Sequence, residues 1–160
     1  MDGVLVDLAS NIERILNTPI DNIFNRHSTE YNPEVLENLI DLYFRDTEIE
    51  VFGTAEKMND ADVLWDFLSK HQVEILSSTG PWFKKRIEQE KINWVRKHLC
   101  TEITVNLVAE SHIKADYATE YSILIDDQYR SIEPWRQSGG IGIIHTDATT
   151  TIIELKKLGF

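Results

Sequence analysis

Acidic and hydroxyl side chains lie next to short apolar runs at three places in this sequence. Ser77-Ser78 and Asp126-Asp127 each close such a run, and Asp2 lies just ahead of another. In open parallel sheets, ligands bind beyond the carboxyl ends of the strands, so these residues are the first candidates for a site. Adjacent carboxylates at a buried strand end repel each other unless a cation lies between them. Mg²⁺ suits such a position, since it binds one or two carboxylates together with phosphate oxygens and water.

Each candidate also has an ordinary structural explanation. The acidic pair precedes a predicted helix, where an aspartate commonly serves as the N-cap and its neighbour is solvated. The serine pair can cap the next helix in the same way. Taken singly, Lys91 and Lys114 are typical solvated surface charges. The stem of Lys91 can pack at the edge of a core near Trp94.

Strands and helices alternate along the second half of the chain. Four runs rich in β-branched residues have the length of strands, and helical patterns lie between them. Such alternation is typical of βαβ units and predicts an α/β fold, with a parallel sheet covered by helices on both faces in a three-layer, Rossmann-like core. The predicted strands are 73–78, 103–108, 122–127 and 142–145, and the predicted helices are 61–70, 81–99 and 131–137.

Residues 18–57 have a different pattern from the rest of the chain. Pro19 and Pro33 mark helix starts, and a dense apolar stripe with helical spacing follows the second proline. We predict a small helical insertion at 18–57 within a core formed by 1–17 and 58–160. Aromatic stripes of helices usually pack in a core. The aromatic residues concerned are Phe24, Tyr31, Tyr43 and Phe44.

The composition fits one soluble, acidic domain. The 160 residues are 42% apolar, and 27 acidic against 16 basic residues give a net charge of −11. This content is too apolar for a disordered chain, and no apolar run is long enough for a membrane span. The acidic balance argues against an extended nucleic-acid surface, which needs Lys and Arg to neutralise phosphates. The single cysteine, Cys100, and the lack of a secretory signal predict a reducing, cytoplasmic location.

Four short motifs follow one another along the chain. Residues 2–7 read Asp-Gly-Val-Leu-Val-Asp, a strand ends at Ser77, Lys114 follows, and the Asp126-Asp127 pair comes last. The haloacid dehalogenase superfamily of phosphatases has such a set in this order. Its first motif is Asp-x-Asp-Gly-[Thr/Val]-x-x-Asp, which the chain matches after the first Asp. The chain therefore resembles this superfamily over nearly its whole length outside the insertion.

A further pattern narrows the resemblance to one group. Residues 91–97 read Lys-Ile-Asn-Trp-Val-Arg-Lys, and paired hydroxyls close the second motif. Both features are similar to the 5'(3')-deoxyribonucleotidases and their phage and bacterial relatives. In that group the lysine that opens the pattern contacts phosphate, which makes Lys91 a second candidate beside Lys114.

The resemblance implies Mg²⁺-dependent hydrolysis of a small phosphate monoester, such as a nucleoside monophosphate. It also implies that the insertion at 18–57 is a cap over the site, in which the aromatic rings of the insertion could stack on a nucleotide base. Asp2 would protonate the leaving alkoxide and then deprotonate the attacking water, as a general acid and base. Ser77 would hydrogen-bond the phosphoryl group, and the lysines would neutralise its charge. The implied catalytic residues are Asp2, Ser77 and Lys114, the substrate-binding residues are Ser78 and Lys91, and the metal ligands are Asp2, Asp126 and Asp127.

One part of the superfamily pattern lies outside the printed sequence. The nucleophile of the superfamily is an Asp two positions before Asp2, a position ahead of Met1. The apolar strand that precedes it, which is central in the sheet of the superfamily, is also absent. We therefore expect a sequence that begins at an internal methionine, and a chain that is inactive or nearly so as written. The alternatives are a catalytically dead binding or regulatory module, and a phosphatase for sugar phosphates or nucleic-acid ends.

Overall fold

Four short strands form where β-branched runs predict them. The computed structural model describes residues 1–17, 50–80 and 84–160. Each strand has four residues. Three of the strands lie within a predicted run and the fourth begins one residue before its run, because β-branched side chains suit the pleated backbone of a strand. The strands are β1 (Ile75–Ser78), β2 (Val105–Val108), β3 (Ile123–Asp126) and β4 (Ile141–Ile144).

The strands pair in parallel, as the alternation with helices predicts. Strand β1 pairs with β2 in a register that sets Ser78 opposite Val108, and β3 pairs with β4 with Asp126 opposite Ile144. The described residues form two separate two-stranded sheets, in place of the single sheet expected from the sequence. No described strand joins β1 to β3, so the sheet is divided between them.

Helices flank both strand pairs. The three helices predicted in the second half are present, and two further helices, α1 and α5, were not predicted. Both have a sequence signal, since Asp7 accepts a hydrogen bond from the Ser10 N–H and Asp147 accepts one from Thr150. No helix in the described ranges has the length and apolar character to cross a membrane. The helices are α1 (Leu8–Leu16), α2 (Ala61–Leu68), α3 (Lys84–His98), α4 (Tyr129–Gln137) and α5 (Ala148–Lys157), with a 3-10 helix at Ser111–Tyr117.

The amino-terminal residues form a tight turn that is buried in the main core. The Met1 carbonyl accepts hydrogen bonds from the N–H groups of Val4, Leu5 and Val6 at 3.3, 2.9 and 3.2 Å. These apolar side chains pack with Trp94 of α3, whose indole N–H donates to the Ala55 carbonyl at 2.7 Å. The turn therefore holds the neighbouring Asp2 against the core and α3.

The predicted cap lies mostly outside the described residues. Phe24, Tyr31, Tyr43 and Phe44 all fall in the range 18–49, which the structure does not describe. Of the remainder, the buried residues Val51 and Phe52 pack with α1 and α3, and Lys57 forms an antiparallel bridge with Val6. The division into a core and a cap at 18–57 therefore stays a prediction.

Candidate functional site

A buried lysine, a carboxylate and a hydroxyl meet at the carboxyl end of β1. Lys91 of α3 has no exposed surface, and its Nζ donates hydrogen bonds to Asp2 Oδ2 and, at 3.0 Å, to Ser77 Oγ. Ser77 is also buried, and its Oγ lies 3.4 Å from Asp2 Oδ2 as a long hydrogen bond. Three residues from distant parts of the sequence, all predicted for the site, thus form one cluster.

A second lysine and carboxylate meet at the carboxyl end of β3. Lys114 Nζ of the 3-10 helix lies 2.6 Å from Asp126 Oδ2, and both side chains are buried. Asp126 Oδ1 accepts a further hydrogen bond from the Gln128 N–H at 2.9 Å. Both oxygens of this carboxylate are therefore satisfied by the protein, which fixes the carboxylate at the strand end.

These ion pairs set the charge state of the two carboxylates. Burial raises the pKa of Asp2, but Lys91 and the Met1 amino group outweigh burial, so the pKa of Asp2 is lowered overall. The same balance holds for Asp126, where Lys114 outweighs burial and lowers the pKa. Burial also lowers the pKa of Lys91, against the attraction of Asp2. Both carboxylates are therefore anions at neutral pH.

Asp127 is the carboxylate that has no lysine of its own. It is 6% exposed, and no described Lys or Arg forms an ion pair with it. Burial, followed by repulsion from Asp126 and a smaller contribution from Asp2, raises the pKa of Asp127 to about 7. A carboxyl group with this pKa is partly protonated at neutral pH, and a cation bound beside it favours the fully ionised carboxylate.

Ser78 lies apart from this cluster. Successive side chains of a strand point to opposite faces, so Ser78 faces away from Ser77 and Lys91. Its Oγ lies 3.3 Å from Ser111 Oγ of the 3-10 helix. The structure therefore does not bring Ser78 together with the residues predicted to share its role, and its contact with a substrate stays a prediction.

The face of α3 explains how a lysine comes to be buried here. Ile87, Trp94 and Val95 are buried on the same side of the helix as Lys91, at spacings of four, three and four residues from it. A lysine in the middle of an apolar helical face is itself a sequence signal of a paired charge. Phe52, whose ring centroid lies 4.1 Å from Lys91 Nζ, carries no such signal and was missed.

The carboxylates of Asp2, Asp126 and Asp127 offer the kind of oxygen ligand that a hard divalent cation binds. The three carboxylates do not, however, surround one position. Asp2 Oδ1 is buried and has no hydrogen-bond partner in the described chain, and Asp127 has no cationic partner. Carboxylate oxygens of this kind are the donors that Mg²⁺ takes. Within the ranges that the structure describes, no group of three or more His, Cys, Asp or Glu side chains is placed to hold a metal ion. Asp2, Asp126 and Asp127 thus fit Mg²⁺ by donor type.

Comparisons with family models, with curated proteins and with solved structures found no match to this chain. The fold that the structure supports is a mixed α/β arrangement with short parallel strand pairs. The interpretation of the site therefore depends on its own residues and on the motif resemblance given above.

Gly3 holds the backbone close to Asp127, and replacing it should be costly. Its φ of +70° is unfavourable for other residues, and a Cβ there would lie 2.1 Å from Asp127 Oδ2. We expect Gly3→Ala to lower the free energy of unfolding by about 2 to 4 kcal/mol, through backbone strain and the displaced carboxylate. Urea denaturation at pH 7 measures the loss.

Gly139 provides the matched control for this substitution. It also has a positive φ, +92°, but a Cβ there meets nothing within 4 Å. Gly139→Ala therefore reports the backbone cost alone, which we expect to be about 1 kcal/mol. Equal losses in the two variants would show that the contact with Asp127 has no energetic role. A Gly3→Ala loss that shrinks in an Asp127→Ala background would locate the excess at that contact.

Proposed function

We propose that this site binds the phosphoryl group of a small phosphate monoester together with Mg²⁺, in a phosphomonoester hydrolase of the haloacid dehalogenase type. The proposal includes the three-layer core that this type of enzyme has. The single observation that carries it is the burial of two lysines, each against a carboxylate, at the carboxyl ends of β1 and β3. Buried ion pairs are expensive to desolvate and are poor stabilisers, so a binding role accounts for them better than a structural role.

Each residue has a task that its position supports. Lys91 and Lys114 carry the positive charge that a phosphoryl group requires, and Ser77 offers a hydroxyl beside Lys91. Asp2 lies beside Lys91 and Ser77, where the resemblance places the general acid and base. Asp2, Asp126 and Asp127 would hold Mg²⁺, which when bound neutralises phosphate charge.

The substrate we propose is a nucleoside monophosphate, by resemblance to the 5'(3')-deoxyribonucleotidases. Sugar phosphates and nucleic-acid ends are less favoured, the latter because a chain with a net charge of −11 repels a polyanion. We also place the protein in the cytoplasm. Cys100 is a free, exposed thiol, which agrees with a reducing compartment.

Ligand binding and phosphate release test this proposal separately. We expect the 160-residue chain to bind a nucleoside monophosphate in the presence of Mg²⁺ by isothermal titration calorimetry, and to release no phosphate. Lys114→Met should weaken binding by at least about tenfold, since a charge-assisted hydrogen bond is worth about 1.5 to 3 kcal/mol. Lys157→Met, at an exposed pair with Glu154, is the matched control and should leave binding unchanged.

Turnover is tested by adding the strand and the nucleophilic Asp that the resemblance requires. A chain extended ahead of Met1 by an apolar strand ending in Asp, so that this Asp lies two positions before Asp2, should release phosphate from the same panel of nucleotides. Release by the unextended chain at a comparable rate would contradict the assignment of the nucleophile. A chain that binds neither nucleotide nor Mg²⁺ would overturn the proposal as a whole.

A second function, a binding or regulatory module, is favoured by one feature of the site. Asp2 and Asp126 are each engaged by a lysine, and the pKa of Asp127 is about 7, so none of the three is a free carboxylate nucleophile in the described residues. Tight nucleotide binding by the 160-residue chain, with no turnover by the extended chain, would support this function over the enzyme.

A further inference from the structure

The phenyl ring of Phe52 lies against the buried ammonium group of Lys91. An ammonium group has three N–H donors, and Lys91 donates to Asp2 Oδ2 and Ser77 Oγ. The centroid of the Phe52 ring lies 4.1 Å from Lys91 Nζ, within the range of a cation–π contact. Phe52 is buried and Lys91 has no exposed surface, so this attraction acts in a desolvated setting, where it is strongest. The ring therefore helps to fix where the ammonium group lies.

The residue before Lys91 holds the backbone of Phe52. Glu90 Oε2 accepts a hydrogen bond from the Phe52 N–H at 2.8 Å, and Glu90 Oε1 accepts one from Arg86 Nε at 2.9 Å. Glu90 and Lys91 are consecutive in α3 and project about 100° apart around the helix. Two consecutive side chains of α3 thus contact one residue, Glu90 at its backbone and Lys91 at its ring.

Buried side chains also fix the backbone on either side of Phe52. Asn11 of α1 donates from Nδ2 to the Val51 carbonyl at 2.6 Å, and Trp94 of α3 donates from its indole N–H to the Ala55 carbonyl at 2.7 Å. Both donor side chains are buried. A shift of the Phe52 backbone relative to α3 would break at least one of these hydrogen bonds and leave a buried polar group unsatisfied.

A structural role alone accounts poorly for a carboxylate at position 90. The Glu90 side chain is 6% exposed, whereas that of its partner Arg86 is 34% exposed, so the carboxylate is desolvated far more than the cation that compensates it. An apolar side chain would bury this face of α3 at a lower cost. Glu90 supplies what an apolar side chain lacks, an acceptor that fixes the Phe52 N–H. Ligand-binding groups are held in place by hydrogen-bonded neighbours of this kind.

We propose that Glu90 and Phe52 are positioning residues for Lys91. Glu90 fixes Phe52, and the Phe52 ring fixes the ammonium group where a phosphoryl group binds. The proposal rests on the proposed function for the role of Lys91 as a phosphate contact. Lysine carries its charge on a flexible four-carbon stem, so its ammonium group keeps one place only where its surroundings hold it. Both residues act through the lysine and need no contact with the ligand.

Phosphate binding by substituted chains tests the proposal. The probe is inorganic phosphate with Mg²⁺, and isothermal titration calorimetry measures its dissociation constant. We expect Phe52→Leu, which keeps an apolar side chain but removes the ring, to raise the dissociation constant about tenfold. Glu90→Leu should act in the same direction, and Glu90→Gln, which keeps an acceptor for the Phe52 N–H, should stay close to the wild type. Ile12→Val, which removes one methylene group from the apolar cluster around Phe52, is the packing control and should leave binding unchanged.

A nuclear magnetic resonance signal of Lys91 tests the positioning without any ligand. Protons over the face of an aromatic ring resonate upfield of their usual position, so the ε-methylene protons of Lys91 report the ring. Lys91→Met assigns this signal by its loss. We expect the upfield shift in the wild type, Glu90→Gln and Ile12→Val, and its loss in Glu90→Leu, where the ring is no longer held. Phe52→Leu, which removes no hydrogen-bonding group, keeps the binding test decisive if Glu90→Leu does not fold.

The two measurements separate this proposal from the proposed function. A wild-type chain that binds no phosphate would count against the proposed function, and the Lys91 signal would still decide whether Glu90 holds the ring. An upfield shift that persists in a folded Glu90→Leu chain would overturn the positioning role of Glu90. Phosphate binding that is unchanged or tighter in Phe52→Leu would overturn the role of the ring. Loss of stability alone, with binding and the Lys91 signal unchanged in the Glu90 and Phe52 variants, would show that both residues are only structural.

Discussion

Replacing Lys91 with methionine is expected to lower the free energy of unfolding by about 3 kcal/mol at pH 7. Removing one partner of a buried ion pair leaves the other charge uncompensated, at a cost of about 3 to 5 kcal/mol. We expect the lower figure because the Asp2 side chain is 25% exposed, so water partly solvates its charge when Lys91 is replaced. Methionine preserves most of the volume beside Phe52, so the loss reports charge more than packing. Urea denaturation monitored by tryptophan fluorescence measures it.

A second substitution separates the loss of stability caused by the unpaired charge from the loss caused by altered packing. Asp2→Asn removes the carboxylate that Lys91 neutralises, so the double variant should recover at least half of the loss. Lys157→Met is the surface control, since its pair with Glu154 is exposed on both sides, and it should change stability by less than about 0.5 kcal/mol. If the double variant is no more stable than Lys91→Met, the pair is not the source of the loss.

Replacing Asp127 with asparagine is expected to stabilise the protein, and to do so more at pH 8 than at pH 5. The pKa of Asp127 is raised from 3.8 to about 7 in the folded chain, chiefly by burial. A group with a raised folded pKa contributes stability below its unfolded pKa and loses that contribution as pH rises through the folded pKa. The wild-type chain therefore loses stability between about pH 4 and pH 7. The gain from asparagine should be about 2.6 kcal/mol larger at pH 8 than at pH 5.

Mg²⁺ should narrow the difference in stability between these two proteins at pH 8. A cation that binds the folded chain stabilises it by about 2.7 kcal/mol at one hundred times its dissociation constant. We expect thermal unfolding to show this gain in the wild type and to show little in Asp127→Asn, which lacks the charge. Glu154→Gln, at an exposed acidic position, is the control and should respond to Mg²⁺ as the wild type does. An equal gain in both proteins would place the ion elsewhere, and a pH-independent effect of asparagine would contradict the raised pKa.

Local sequence was enough to predict the described strands and three of the described α-helices, whereas α1 and α5 were not predicted. Runs of β-branched residues predicted the four strands of the described chain, since such a run is a local pattern. Polar residues that close predicted strands made Ser77 and Asp126 candidates for a site, because ligands of parallel sheets bind beyond the carboxyl ends of the strands. The roles of these residues in phosphate chemistry stay predictions.

The pairing of the charges and the division of the strands into two sheets depend on long-range contacts. Lys91 pairs with Asp2 and Lys114 pairs with Asp126, whereas Asp127 pairs with no lysine or arginine of the described residues. These pairings depend on distances between residues on different elements of the fold. The separation of β1 from β3 is likewise a property of packing, since each strand has the same local pattern whether one or both of its edges are paired. Local sequence sets which residues form a strand, and long-range contacts set its neighbours.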